Sequence, residues 1–335
     1  MTTSPKKHMK TQKPYFAFIK QRINAAHRII IAGHTGPDFD NVGSCLALYE
    51  VLRAMRKGVV IASDFHESIW REVAMDKLPN QVKMSSLALY KPDVVFLLDY
   101  GKKERIDASV LWLIEQTKPF VITIDHHEYQ SQFGDIVWVD SAFVSTTEML
   151  HMLFSKIKAR IPEQANYYLL LGVWGDTGAF AYQRASKRLL RMVNALVTQG
   201  DEIQRIMELL HQKMDADEFR LYGKLLASIS YDASLGLGVC KIRTQIPEGM
   251  NRTVMYEMKR IKGLRVALFL KRFAKTGYWK ASVWGAQHNV LDLNEFARRF
   301  GGGGHFNAAG FKTKLSGAKI IQMVKQAMRE NCVSS

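Results

Sequence analysis

The chain has 335 residues, 47% of them hydrophobic and 23% charged, enough apolar material for two domains of ordinary size and too much for a disordered chain. Three cysteines, Cys45, Cys240 and Cys332, are too few and too scattered for a disulfide framework or a cysteine-based zinc site, so a reducing, cytoplasmic setting is expected. The net charge of +16 is lopsided: from Lys241 onward 18 Lys/Arg face 5 Asp/Glu, which predicts a polyanionic partner, nucleic acid ahead of membrane, with a basic surface kept for solubility as the alternative.

The opening "MTTSPKKHMKTQKPYF" is basic but leads into no apolar run, and nothing later approaches the roughly 18 apolar residues of a membrane span. Then "RIIIAG" (28–33), "GVVIAS" (58–63), "DVVFLLD" (93–99), "FVITID" (120–125) and "DIVWVD" (135–140) read as strands buried on both faces. Segments such as "SCLALYEVLRAMRK", apolar at helical spacing, separate several of them, which predicts a parallel sheet flanked by helices. From Ser145 to about Ser228 the pattern turns mainly helical. "SISYDASLGLGVCKIR" then reads as a hairpin, "RVALFLKR" and "YWKASVWG" as strands, "LNEFARRF" and "GAKIIQMVKQAMRE" as helices. The expected fold is α/β: an N-terminal parallel-sheet domain over 15–215, a helical connection over 216–235, and a smaller α/β domain over 236–332.

Acids and histidines gather where the strands run out. His34, Asp38 and Asp40 follow the first, Asp99 ends the third, and Asp125, His126 and His127 end the fourth, with Asp176 after a later apolar run. One aspartate at a strand end is commonly a helix cap or turn former, and a lone histidine is commonly structural. Four clusters on one edge are different, because crowded carboxylates repel and divalent cations neutralise them. Mixed Asp and His without Cys suits Mn²⁺, with Mg²⁺ second, and the donors are too many for one tetrahedral zinc, so two ions are expected. Paired divalent ions about 3.5 to 4 Å apart are the apparatus of phosphoester hydrolysis.

The ordered set "GHTGPDFD", "LLDYG", "IDHH" and "WGDTGAF" resembles the four metal-binding motifs of the DHH phosphoesterase superfamily, and "FGGGGHFNAAGF" (300–311) resembles the signature of its DHHA1 C-terminal domain. The compact size is similar to the stand-alone oligoribonucleases that also act on 3′-phosphoadenosine 5′-phosphate (pAp), the nanoRNase/pAp phosphatases. The resemblance implies that His34, Asp38 and Asp99 hold one ion and Asp40, Asp99, His126 and Asp176 the second, with Asp99 bridging. It implies that Asp125 positions the histidine pair and that His127 faces substrate in a catalytic role. It also implies an active site in the cleft between the two domains.

Within the glycine run, Gly302, Gly303 and Gly304 are expected to bring backbone N–H groups close to a substrate anion, with His305 as a further donor. Arg298 just upstream is a second candidate for substrate, against a solvated helix face. One departure stands out: relatives commonly carry an "SxRS"-like segment on the preceding strand, and here Trp284 and Gly285 occupy the positions of its arginine and second serine. Trp284 is a candidate for stacking on a base, with core packing as the alternative. Lys271, Arg272, Lys275 and Lys280 are available nearby. "STTE" (145–148) resembles the family too, but is read first as a helix cap.

The expected activity is dimetal-dependent hydrolysis of short single-stranded RNA or DNA to 5′-mononucleotides, with pAp 3′-dephosphorylation as a related reaction. The alternatives are a cyclic or linear dinucleotide phosphodiesterase, a single-strand-specific exonuclease, and a basic RNA-binding protein without turnover. No membrane partner is expected, and the oligomeric state, a homodimer included, is left open.

Overall fold

Five short strands with apolar side chains on both faces build the first sheet. The computed structural model describes residues 16–62, 68–74, 90–127, 133–180, 185–198, 200–210, 214–247, 249–273, 276–286, 289 and 291–332. Residues 1–15, Ser63 and Lys275 lie outside the described residues. Contacts divide the chain into two units, residues 1–213 and 214–335.

In the first unit β1 (Arg28–Ala32), β2 (Gly58–Ala62), β3 (Val94–Leu98), β4 (Phe120–Asp125) and β5 (Ile136–Val139) pair in the order β2-β1-β3-β4-β5. All four ladders are parallel. Alternate residues of each strand serve opposite faces. Ile29, Ile31, Phe96, Leu98, Ile122 and Ile124 join one core with α1 (Phe16–Ala25), α2 (Phe39–Ala54), α3 (Ser68–Val73), α5 (Thr146–Ile157), α6 (Glu163–Thr177), α7 (Lys187–Leu196) and α8 (Asp201–Leu210). Ile30, Ala32, Val95, Leu97 and Val121 join a second core under α4 (Ala108–Thr117). Strands covered on both sides need continuous apolar runs, and that is why they were legible. Strand order reverses between β1 and β3, and ligands of open α/β sheets sit beyond the strand C-termini at such a switch point.

The second unit holds a mixed sheet, β6 (Ser230–Asp232), β7 (Leu237–Ile242), β8 (Val266–Arg272), β9 (Trp279–Gly285), β10 (Gly303–His305) and β11 (Ala308–Thr313), in the order β10-β11-β9-β8-β7-β6. α11 (Leu293–Arg298) and α12 (Gly317–Cys332) pack on one face through Leu293, Phe296, Ile320 and Val324. α9 (Ala216–Ala227) and α10 (Met250–Met258) pack on the other, over Cys240, Ala267 and Phe269. The stretch 216–235, expected as a connection, thus carries α9 and β6 of this unit: Leu225 is buried in its core, and Ser230–Asp232 pairs with β7. Among the described residues no helix is long and apolar enough to cross a membrane.

Candidate metal centre

Each chemically marked residue sits where a strand or helix ends. His34 lies two residues beyond β1, Asp38 caps α2 by accepting from the Asn41 amide, and Asp40 occupies the first turn of that helix. Asp99 follows β3 directly with a φ of 54°, a left-handed conformation that aspartate tolerates better than most residues. Asp125 ends β4, and His126 and His127 follow it. Asp176 comes not from a strand end but from the last turn of α6, where the helix dipole disfavours a carboxylate.

The fold brings all of these into one cluster. His34 Nε2 lies 3.7 Å from Asp38 Oδ2 and 3.8 Å from Asp99 Oδ2. His126 Nε2 lies 3.1 Å from Asp176, 3.5 Å from Asp99 Oδ1 and 3.9 Å from Asp40. The two carboxylate oxygens of Asp99 therefore face different histidines. Among the described residues three overlapping groups could hold metal: His34, Asp38 and Asp99; Asp40, His126 and Asp176; and Asp99, His126 and His127. A divalent ion fits this donor set. His126 Nε2 is buried and ringed by three carboxylates, yet it makes no hydrogen bond of acceptable geometry, and a buried polar atom in that condition calls for a partner.

Electrostatics give the same reading. Burial together with the charges of Asp99 and Asp176 holds the Asp40 carboxyl well above the ordinary carboxylate range. Burial and neighbouring acids lift Asp176 to about 6 against the pull of His126. Burial works against a charged His126, but Asp176 and Asp99 outweigh it and raise the imidazole to about 9. Asp38 departs the other way: burial pushes its carboxyl up, and His34, the Asn41 amide and Arg105 more than reverse that. Carboxylates crowded in this way are what a divalent cation neutralises.

The surrounding groups fix the orientation. Asp125, fully buried, accepts from the Gly101 amide at 2.7 Å, the His127 amide at 2.9 Å and His127 Nδ1 at 2.8 Å, so it holds His127 in place. Three residues carry more than their sequence suggested. Thr146 and Thr147 donate their amides to Asp40 at 2.6 and 3.0 Å, the Thr147 hydroxyl donates to Asp40 at 2.9 Å, and the Thr146 hydroxyl donates to Asp99 at 3.0 Å. Ser145 still caps α5, accepting from the Glu148 amide, so the cap and the carboxylate cradle coexist. Arg105 Nη2 lies 2.8 and 3.0 Å from the two ring nitrogens of His34. The sequence signal for the threonines was hydroxyl side chains at the start of a helix, in a segment that resembles the family.

The second-unit candidates divide. Gly303–His305 is a strand paired with Ala308–Gly310, and the side chain of His305 lies outside the described residues. The N–H of Gly302 donates to Ala297 O and that of Gly304 to Asn294 Oδ1, so neither is open to an anion. The glycines serve close packing: at Gly304, φ is 157° and a Cβ would sit 2.2 Å from Ala308 O. Trp284 packs against the α9–α10 core with its ring edge-on to Tyr256 at 4.9 Å and Lys259 Nζ 5.1 Å above it. Arg298 is exposed on α11, whose buried residues serve the opposite face.

Residues 28–173 match the family model described as DHH family, N-terminal domain. Residues 28–173 thus form a DHH-family N-terminal domain, and fold, donor set and relatives together support a metal-dependent hydrolase. Over most of its length the chain is similar to the bifunctional oligoribonuclease and PAP phosphatase NrnA of Thermus thermophilus, at 26% identity over 310 residues covering 90% of this chain and 89% of that protein. An exopolyphosphatase-related protein from Bacteroides fragilis has the same fold, with a TM-score of 0.80, 21% identity and coverage of 94% and 95% of the two chains. RecJ of Thermus thermophilus in complex with Mn²⁺ matches at a TM-score of 0.55 and 15% identity over 95% of this chain and 54% of that one.

Proposed function

We propose that the protein hydrolyses short oligonucleotides to 5′-mononucleotides and removes the 3′-phosphate of pAp, with two divalent ions, Mn²⁺ preferred over Mg²⁺ because imidazoles contribute to both ligand groups. The observation that carries this reading is Asp99, with one oxygen toward His34 and the other toward His126, the geometry of a shared carboxylate. His34, Asp38 and Asp99 would hold one ion, and Asp40, Asp99, His126 and Asp176 the other. Bound there, such a pair generates hydroxide near neutral pH and neutralises phosphoryl oxygens. His127, braced by Asp125, presents Nε2 to the leaving oxygen or a substrate phosphate. The similarity to oligoribonuclease and PAP phosphatase relatives supports the choice of substrate. In the second unit the strand Gly303–His305 and Arg298 remain our candidates for substrate contact, whereas the surroundings of Trp284 favour packing over stacking on a base. The three scattered cysteines suit a cytoplasmic setting.

The test is mononucleotide release from a 5′-labelled dinucleotide and from a long single strand, side by side, with and without Mn²⁺, together with pAp dephosphorylation. Asp99→Ala should abolish all three reactions while circular dichroism and thermal unfolding stay close to wild type. A variant that keeps more than about a tenth of the wild-type rate at saturating Mn²⁺ would sink the shared-carboxylate assignment.

A further inference from the structure

We propose that Lys271, Lys280 and Lys312 form a phosphate track on the second sheet that grips the backbone of a single-stranded polynucleotide beyond the residues being hydrolysed. The proposal rests on the oligonucleotide reading above and adds to it a site that selects substrate length.

Sheet register carries the inference. Lys271 on β8 stands directly opposite Lys280 on β9, and Lys280 stands directly opposite Lys312 on β11. Residues directly opposite in antiparallel pairs project from the same face with Cβ atoms about 4.5–5.5 Å apart, and like charges so placed work against the sheet. A folded protein relieves such a row with an interleaved acid. None is present here: among the described residues no carboxylate pairs with any of the three, whereas Lys325 and Arg188 each have one. Lys271 lies 5.7 Å over the Phe273 ring instead, which leaves its charge unneutralised.

The face on which the row stands is only half covered. On the opposite side β9 and β11 bury Ala281, Val283, Ala309 and Phe311 under α11 and α12. On the lysine side α9 and α10 cover β7 and β8, while Lys280 and Lys312 are exposed and Ser282, Gly310, Ala308 and Gly303 are half-buried. One step along the strands from the lysines, Ser282, Gly310 and Gly303 face one another across β9, β11 and β10. That row has almost no side chain, and it lies roughly 7 Å from the lysines at the rise of a β-strand. A floor without side chains lets a sugar–phosphate backbone lie close to the sheet, and a cationic row at its end meets the phosphates that follow. Together these are the two parts of a sequence-independent single-strand groove. The site takes phosphodiester chains of several residues; a dinucleotide or pAp held at the glycine strand does not need it.

The test compares wild type with the triple variant Lys271→Gln, Lys280→Gln, Lys312→Gln, and with the double variant at the two exposed positions 280 and 312. Hydrolysis of a dinucleotide and of a decanucleotide is followed with Mn²⁺, and binding of an uncleavable phosphorothioate decanucleotide is followed by fluorescence anisotropy across a potassium chloride series. We expect kcat/KM to stay within about twofold for the dinucleotide and to fall at least tenfold for the decanucleotide. The salt slope should drop by about 2, the value for three phosphate contacts on a single strand. The melting temperature should hold or rise, because the lysines no longer repel one another. The double variant should show about two-thirds of the change in slope and serves if the triple variant fails to fold. Equal losses on both substrates would make the row part of the main phosphate site and overturn the proposal. So would an unchanged slope, or loss of binding to phosphatidylserine vesicles with decanucleotide binding intact. If wild type hydrolyses neither substrate, the hydrolase reading fails, and the anisotropy series still decides the track.

Discussion

Gly172→Ala and Gly223→Ala are the same substitution in two helices with opposite expected outcomes. Each replaces a helical glycine by the best helix former, a gain of about 1 kcal/mol where there is room. At Gly223, on α9, a Cβ would meet nothing within 4 Å, so the variant should be more stable than wild type by about 0.5–1 kcal/mol. At Gly172, on α6, a Cβ would sit 2.4 Å from Thr147 Cγ2 and Oγ1 and 2.5 Å from Asp40 Oδ1. To reach ordinary contact at 3.4 Å, the carboxylate and the threonine must each retreat by about 1 Å. Forcing a methyl group into packed surroundings costs about 1–3 kcal/mol. Weakening the bonds that Thr147 gives to the Asp40 carboxylate adds about 1.5–3 kcal/mol. After the propensity gain, the expected net loss is roughly 3 kcal/mol. Urea unfolding with the metal chelated measures both variants, and Mn²⁺ titration calorimetry then reads the site. Gly172→Ala should bind Mn²⁺ at least tenfold more weakly, because Asp40 moves off its position; Gly223→Ala should bind it as wild type does. A Gly172→Ala protein as stable as wild type, with unchanged Mn²⁺ affinity, would refute the claim that α6 presses on the Asp40 cradle.

Mn²⁺ binding should release protons. With His126 raised to about 9 and Asp176 to about 6, the metal-free protein at neutral pH carries a proton on His126 that a metal ligand cannot keep. Affinity should therefore climb as pH rises toward 9, and calorimetry in buffers of different ionisation enthalpy should count at least one proton at pH 7; a count of zero would contradict the carboxylate ring around His126. In chelator, the raised His126 contributes stability that is fully present below its unfolded value of about 6.5 and lost as pH rises through about 9, which urea midpoints across that range would show. Trp284→Ala should lower stability by about 2 kcal/mol through lost contact with Tyr256 and the α9–α10 core, while leaving the ratio of kcat/KM for pAp and a dinucleotide unchanged. A changed ratio with unchanged stability would return Trp284 to the substrate.

The sequence by itself determined the parallel sheet, because strands covered on both faces must be apolar throughout. "VVFLL" could be read as β3 without knowing its neighbours. It offered the candidate donors as well: acids and imidazoles beyond strand ends are costly to crowd without a cation, so their types and order pointed to a divalent centre. Tertiary structure alone decided how those donors are held. Asp176 arrives on a helix, so no strand-end rule could place it beside His126. Thr146 and Thr147 look like the start of an ordinary helix until α2 brings Asp40 against their amides, 106 and 107 residues away in the chain. The glycine run reads as an open turn for an anion, whereas in the fold its Gly302 and Gly304 amides are spent on Ala297 and Asn294. Trp284 reads equally well as a base platform or a core residue, because a strand's period of two gives two faces and does not say which is covered. Burial, partner and face are properties of long-range packing. A local pattern fixes which side chains are offered, and the neighbours that arrive from elsewhere in the chain fix what they touch.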